Sequence, residues 1–312
     1  MGPIIAFLQF LLHAVHVGWI RLNRWLSGSK LPPKAHGIVI IGDELAEGIG
    51  DYVTFGQVPG LARHLQDKIR ASPKIKQKKH WIVRSAGVAG ATSTSWLPKG
   101  ATRWQPPDAA SGSAGPNDKS IDSADSKHEA DASASKSSKK AKKKKKKSKH
   151  KDRSSKNKKK KDVDGAGFKF GALWESTFGP KGNFADASIV IVAVGSNDYK
   201  HGETEDPDAT RHNICRICTA LVARKKKVFV VGLRRVMHVK ESVNLHRNSL
   251  VRDYCRMANA AGVKELQYGP NLHIGSWEQP QLVTSGGLHF NSAGYSLLVR
   301  VGVCAARCES SV

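Results

Sequence analysis

A short apolar run that ends on a glycine and an acid constrains the fold of this chain most strongly. Residues 36–46 read HGIVIIGDELA, so four β-branched residues precede Gly42 and Asp43. A run of this length and composition is typical of a buried strand, and Gly-Asp favours a turn into a helix. Ligands of open α/β sheets bind at the carboxyl ends of the strands. We therefore expect the next side chain, Glu44, to lie at a functional edge.

The same alternation of strand and helix patterns continues along the chain. Further strand-like runs lie at 80–85, 188–194, 227–232 and, more weakly, 263–266. Helical periodicity covers 58–72, 207–224, 241–261 and 291–307. Strands that alternate with helices predict an α/β fold, with a parallel central sheet between two layers of helices and one dominant core.

Three further blocks follow strand-like runs: SAGVAGAT at 85–92, VGSND at 194–198 and GLHFNSAGY at 287–295. Each block alone also fits an ordinary turn with a glycine or an Asx cap. Together with the first block, and in this order, they resemble the SGNH (GDSL-type) esterases and lipases. The first family motif reads Gly-Asp-Ser-Leu, whereas this chain has Gly-Asp-Glu-Leu.

The resemblance implies a three-layer, flavodoxin-like fold and ester hydrolysis without a cofactor or a metal. It assigns Asp43 to the first motif and Glu44 to the position of the nucleophile. It assigns the Gly90 N–H and the Asn197 amide to the oxyanion hole, and His289 to the general base. In such a site, a serine deprotonated by histidine attacks the ester and preorganised donors hold the oxyanion.

Two substitutions depart from this chemistry. Glu44 replaces the serine, and Gly286 stands where the family keeps the aspartate that orients the histidine. A carboxylate at position 44 cannot act as a serine does, and its charge opposes an oxyanion formed beside it. A carboxylate also favours the protonated imidazole, which is a poor general base. We therefore expect Glu44 and His289 to form a resting ion pair.

Three interpretations of the substitution stay open. The first is a catalytically impaired hydrolase (a pseudoenzyme) whose pocket binds an acyl-ester ligand. The second is an active hydrolase in which Glu44 acts as a base on water and His289 as the acid. The third is a sequence error at codon 44. The competing functional class is a non-enzymatic adaptor that contacts a membrane or a nucleic acid.

The N-terminal region, residues 1–34, contains an apolar helix candidate at 3–26. Apolar residues recur every three or four positions, and polar residues gather on the opposite side. A spanning helix, an interfacial helix and a helix packed on the domain surface all fit this pattern. The basic residues after it favour a membrane-associated protein whose main domain faces the cytoplasm.

The charge is concentrated in a long insertion. The formal net charge is +25, and residues 136–161 supply 17 Lys or Arg against one Asp, which is +16 of that total. Residues 104–167 have almost no large apolar side chains, so we expect them to be disordered. They divide the hydrolase-like domain into 35–103 and 168–312. The lysine-rich tract suits an anionic membrane surface, with a nuclear address or loose nucleic-acid binding as alternatives.

Cysteine usage favours reduced thiols. The chain has five cysteines, an odd number. A zinc site formed by Cys215, Cys218, Cys304 and Cys308 is the alternative to small buried thiols, but no His/Cys pair nearby completes the usual spacing.

Overall fold

A computed structural model gives the fold. It describes residues 3–26, 31, 35–55, 57–72, 80–101, 171–199, 206–236, 239–272, 279–284 and 289–308, without the side chains of 6 and 302–308. The predicted insertion at 104–167, its lysine-rich tract and Gly286 lie outside these residues.

The described helices and strands alternate as the sequence predicts. The helices are α1 (Pro3–Leu26), α2 (Glu44–Glu47), α3 (Gly60–Ala71), α4 (Ala172–Phe178), α5 (Pro207–Ala223), α6 (Glu241–Ala260) and α7 (Ser292–Cys308). The strands are β1 (His36–Gly42), β2 (Trp81–Ser85), β3 (Ile189–Ala193), β4 (Lys227–Val230) and β5 (Leu266–Tyr268). Short 3-10 turns lie at Thr94–Trp96 and Pro280–Leu282.

The five strands form one parallel sheet in the order β2-β1-β3-β4-β5. In the register of the central pair, Ile38 lies beside Ile189 and Gly42 beside Ala193. This order is that of flavodoxin-like folds, in which the chain leaves β1 and β3 in opposite directions and opens a crevice between them. The predicted fold class is therefore confirmed, and the crevice lies where Glu44 follows β1.

Two apolar layers cover the sheet. Ile38 and Ile40 pack with residues of α2, α3 and α7 on one face. Val39 and Ile41, which point the other way, pack with residues of α4, α5 and α6. Burial on both faces explains why β1 reads as a continuous apolar run rather than an alternating one.

Helix α1 has the bounds predicted from its periodicity. Only a small part of it is buried: Ile20 and Asn23 have no exposed surface. Most of its large apolar side chains are exposed, namely Ile4, Ile5, Phe7, Leu8, Phe10, Leu11, Leu12, Val15, Leu22, Trp25 and Leu26. By length and composition the helix could cross a membrane.

One predicted strand is wrong in position. The sequence places the fifth strand at 263–266, but Val263 belongs to the turn after α6, where its N–H bonds the Ala258 carbonyl. The strand begins at Leu266, which lies beside Val228 of β4. Pairing with β4 therefore fixes this short element more strongly than its local composition does.

The described cysteines are free thiols at Cys215, Cys218 and Cys255. Burial raises the pKa of the Cys215 and Cys255 thiols to about 12. They therefore stay protonated at neutral pH and pack as small apolar groups.

Candidate active site at the carboxyl edge of the sheet

The turn after β1 brings Glu44 to the edge of the sheet. Gly42 has φ +149°, and a Cβ there would lie 1.8 Å from the Ala193 carbonyl oxygen, so only glycine fits. Asp43 caps α2 by accepting a hydrogen bond from the Leu45 N–H at 3.1 Å. Its second oxygen accepts from the Ser196 N–H at 3.3 Å. Asp43 thus joins the ends of β1 and β3 and is a positioning residue.

Glu44 meets Asn197 across this crevice. Asn197 Nδ2 donates to Glu44 Oε2 at 2.6 Å and to the Ala91 carbonyl oxygen at 3.2 Å. The Asn197 side chain is fully buried. A carboxamide nitrogen has two hydrogens, and these two acceptors use both of them. The amide that the resemblance assigns to an oxyanion is therefore already bound to a carboxylate of the protein.

The loop after β2 supplies the second predicted donor. Gly90 has φ +80° and open space where a Cβ would stand, which fits a residue beside a ligand. The next residue, Ala91, accepts from Asn197. Trp96, in the 3-10 turn that follows, donates its indole N–H to the Gly42 carbonyl at 3.1 Å. The loop is thus fastened to both neighbouring strand ends.

Asp198, next to Asn197, is a buried acceptor that holds together the segments around the crevice. It accepts from the Ser93 N–H at 2.7 Å, the Ser93 hydroxyl at 2.6 Å and the Thr210 hydroxyl at 2.6 Å. For Asp198 the sequence suggested only a local turn or cap. The side chain instead connects the loop after β2 with α5, over more than a hundred residues of sequence.

Arg247 of α6 lies close behind the third block, and sequence reasoning missed it. Its Nη2 donates to the Gly195 carbonyl at 2.5 Å, and its guanidinium lies 4.1 Å from the centre of the Tyr199 ring. Burial lowers its pKa, while Tyr199, Asp198 and Asp43 act in the opposite direction. A buried cation in a helix pattern gave no local signal of this role.

His289 lies next to the turn that follows α2. A Cβ on Gly50 would lie 2.9 Å from the Cβ of His289 and 2.2 Å from the Phe290 carbonyl oxygen. The Tyr295 hydroxyl donates to the Ile49 carbonyl at 3.0 Å. The terminal block is therefore packed on the turn that continues from Glu44. The ion pair between Glu44 and His289 stays a prediction.

Helix α1 places two more imidazoles at this rim. The ring of His13 stacks on that of His289, with 6.0 Å between centroids. His16 Nε2 accepts from the Gly50 N–H at 3.1 Å. Burial, followed by the neighbouring His13, lowers the pKa of His16, although Asp51 opposes the shift. The sequence placed both histidines on the polar side of α1 but did not indicate that this side meets the site.

Two arginines of α1 hold the loop after β2. Arg21 Nε bonds Glu47 Oε1 at 2.9 Å, and the buried Glu47 also accepts from the Ala89 N–H. Arg24 Nη1 donates to the Gly87 carbonyl at 2.5 Å. The polar side of α1 therefore packs on the domain, while the apolar side stays exposed.

The four sequence blocks therefore meet at the carboxyl ends of β1, β2 and β3 and the adjoining turn. Asn197 bonds Glu44, and Asp43 bonds the Ser196 N–H next to Asn197. Gly90 adjoins Ala91, which also bonds Asn197, and His289 packs beside the turn after α2. The arrangement combines amide donors, a carboxylate and an imidazole, which are the groups that acyl transfer uses, but it lacks a hydroxyl nucleophile at position 44.

The sequence of this chain matches a known protein family. A model of the GDSL-like lipase/acylhydrolase family matches residues 38–300. A search of curated protein sequences gives no match. Similar solved structures include the psychrotrophic esterase EstA from Pseudoalteromonas sp., with 13% identity and a TM-score of 0.47 over 88% of this chain and 97% of that chain. A Clostridium thermocellum family 3 carbohydrate esterase has 13% identity and a TM-score of 0.46, over 86% and 93%. A lipase/acylhydrolase from Enterococcus faecalis has 14% identity and a TM-score of 0.43, over 88% and 96%.

The family model spans the strand, loop and helix segments that build the whole sheet, from β1 to α7. It also contains all four blocks that meet at the carboxyl edge. The chain belongs to the GDSL-like lipase/acylhydrolase family.

Proposed function

We propose that this protein binds acyl-ester ligands in the crevice between β1 and β3 and hydrolyses them poorly or not at all. The observation that carries the proposal is the hydrogen bond from Asn197 to Glu44. The bond engages the amide that, by the family resemblance, would bind the oxyanion of the transition state.

The energetic consequence is a loss of transition-state stabilisation. One oxyanion donor lowers the barrier of acyl transfer by about 3–4 kcal/mol. Asn197 gives this contribution only after Glu44 moves away, since both of its hydrogens are engaged. A charged Glu44 that stayed close would also repel the developing oxyanion. Together with the missing hydroxyl, this supports binding without efficient turnover.

A replacement series at position 44 tests the proposal. Full-length wild type, Glu44→Ser and Glu44→Ala would be assayed on p-nitrophenyl acetate and butyrate, each with and without His289→Ala. We expect His289-dependent hydrolysis in Glu44→Ser alone. Hydrolysis by the wild type that is lost in both Glu44→Ala and His289→Ala would instead establish Glu44 as a base on water.

Ligand binding needs its own readout. An alkyl fluorophosphonate reacts with an activated serine in an acyl pocket, so it should label Glu44→Ser at position 44 and leave the wild type unlabelled. Circular dichroism establishes that the variant is folded. A folded Glu44→Ser that neither reacts nor hydrolyses would contradict an acyl-binding crevice.

We also propose that α1 attaches the protein to a membrane, with the domain on the cytoplasmic side. The exposed apolar side of α1 continues onto Tyr52 and Phe55, whose side chains are 75% and 66% exposed. Trp19 connects the two, since its ring lies 5.8 Å from Phe55 and its indole N–H donates to the Val53 carbonyl at 2.9 Å. Contiguous exposed apolar surface of this kind marks protein or membrane contacts.

Vesicle composition separates the two predicted membrane anchors. Neutral phosphatidylcholine vesicles report on α1, because the lysine-rich tract gains nothing from an uncharged surface. Anionic vesicles report on both. We expect deletion of 136–161 to remove only the salt-sensitive part of binding. If neutral vesicles do not bind the full chain, the role of α1 as an anchor is wrong.

A further inference from the structure

A basic groove lies on the outer edge of the sheet, away from the crevice that holds Glu44. It consists of two adjoining cavities of about 370 and 700 Å³ between α3 and the edge strand β2. Gln66, Arg70 and Arg84 line both cavities. The smaller one also has Arg63 and Asp67, and the larger one also has His80.

Only one of the three arginines has acidic partners among the described residues. Arg63 lies 3.8 Å from an oxygen of Asp51 and 3.9 Å from an oxygen of Asp67. Arg70 and Arg84 form no ion pair in this part of the chain. Residues 73–79, which connect α3 to β2, read PKIKQKK and contain no acid. Among the described residues, the groove therefore carries more positive than negative charge.

One N–H of Arg84 has no acceptor among the described groups. Its Nη1 donates to the Val83 carbonyl at 3.2 Å, while its Nε is buried and has no acceptor among the described groups. A buried guanidinium N–H without an acceptor is costly and is normally satisfied in native proteins. Burial lowers the pKa of Arg84, and the nearby Arg70 lowers it further. Both effects favour an anion between the two arginines.

The side-chain amide of Gln66 lies nearby but does not accept a hydrogen bond from Arg84 Nε. Gln66 Oε1 accepts from the Val83 N–H at 2.8 Å, and its Nε2 donates to the Trp81 carbonyl at 3.3 Å. Gln66 thus fixes the wall of the groove, and Arg70 and Arg84 line it without an acidic partner among the described residues. Ile69, Trp81 and Ile82 give the larger cavity an apolar wall as well.

We propose that this groove binds a phosphate group between Arg70 and Arg84. The planar fork of arginine matches phosphate oxygens and makes short, charge-assisted hydrogen bonds. The apolar wall suits a phosphate attached to an apolar body. Two sources share this chemistry, a soluble phosphate and the headgroup of an anionic lipid. The site is independent of hydrolysis at position 44.

The test compares full-length Arg84→Gln and Arg70→Gln with the wild type and with Arg256→Gln. Arg256 is a matched control because it is 80% exposed on α6 and does not line the groove. One arm titrates inorganic phosphate by calorimetry, with chloride holding the ionic strength constant. The other measures sedimentation with phosphatidylcholine vesicles that contain phosphatidic acid or, for a negative surface without a phosphate monoester, oleic acid.

We expect each groove variant to bind about tenfold more weakly than the Arg256→Gln control in at least one arm. Loss in the phosphate titration identifies a soluble ligand. Loss confined to phosphatidic acid vesicles identifies a lipid headgroup.

The lysine-rich tract contributes equally to all variants and cancels in the comparison. Groove variants equal to Arg256→Gln in both arms would overturn the proposal. Arg70 is exposed, so Arg70→Gln keeps the test valid if Arg84→Gln misfolds.

Discussion

Asn197 Nδ2 and Glu44 Oε2 lie 2.6 Å apart and form a hydrogen bond between the first and third sequence blocks. The bond crosses the point at which the sheet order places β3 beside β1. It couples the replaced nucleophile position to a donor that the family resemblance assigns to the oxyanion. Glu44 therefore replaces the serine and also engages the side-chain amide of a second site residue, Asn197.

Asn197→Asp should destabilise the fold in a pH-dependent way. Two carboxylates at this distance raise the pKa of the pair above its unfolded value. The deficit should therefore be small at low pH and should grow, to about 2 kcal/mol, as pH rises through the folded pKa. Urea unfolding at acid and neutral pH measures it.

The double variant Glu44→Gln/Asn197→Asp is the control. It restores one donor and one acceptor with a single charge, so most of the loss at neutral pH should be regained. An Asn197→Asp deficit that is the same at acid and neutral pH would argue against the hydrogen bond to Glu44.

Asp198→Ala should cost about 3 kcal/mol of unfolding free energy. The change leaves three donors from Ser93 and Thr210 without their acceptor inside the protein. Asp208→Ala is the matched control, because the Asp208 side chain is 45% exposed and pairs with Arg211. It should cost less than about 1 kcal/mol. Equal costs in urea unfolding would show that Asp198 stabilises the fold no more than Asp208 does.

Substitutions at Ile20 and Leu12 should distinguish the docking of α1 on the domain from its attachment to membranes. Ile20 is fully buried, whereas Leu12 is 70% exposed on the same helix. Ile20→Ala should weaken docking by about 2–4 kcal/mol and speed amide hydrogen exchange in the second half of α1. Leu12→Ala should leave exchange unchanged and reduce binding to neutral vesicles. Identical behaviour of the two variants would be inconsistent with two distinct faces.

Acidification should loosen α1 through His16. The imidazole must be neutral at Nε2 to accept from the Gly50 N–H. Burial, with the charge of His13, lowers the pKa of His16 below its ordinary 6.5. A depressed folded pKa means that this contribution is present above about pH 6.5 and is lost as pH falls through the folded value.

His16→Gln keeps an acceptor but does not titrate, so it should flatten the pH dependence of α1 hydrogen exchange between about pH 7.5 and pH 5. His246→Gln, at an exposed position of α6, should leave that dependence as in the wild type. A wild-type profile that His16→Gln does not change would assign the effect to another group.

Local patterns in the sequence were sufficient for the fold class and for most element positions. Four β-branched residues at 38–41 are buried on both sides of a sheet, which is why their strand was predictable. The period of residues 3–26 gave the bounds of α1. The fifth strand was misplaced because a three-residue element depends on its partner β4 for its register.

The order of the four blocks, read as a resemblance, indicated the family and the candidate site residues. Each block carries its own turn chemistry, as at Gly42 and Gly90, and such signals are local. What each residue contacts was not local. The bond from Asn197 to Glu44, the three donors on Asp198 and the guanidinium of Arg247 behind Gly195 join segments far apart in the sequence.

The sequence by itself thus determined four of the five strands, the turns after β1 and β2, and the identity of the residue at position 44. Only the tertiary structure decided that Glu44 takes the Asn197 amide and that the polar side of α1 meets the site. The physical reason is that periodicity and turn preferences depend on neighbours a few residues away. Whether a buried hydrogen bond forms depends on the order of the strands in the sheet, because that order decides which strand ends lie side by side.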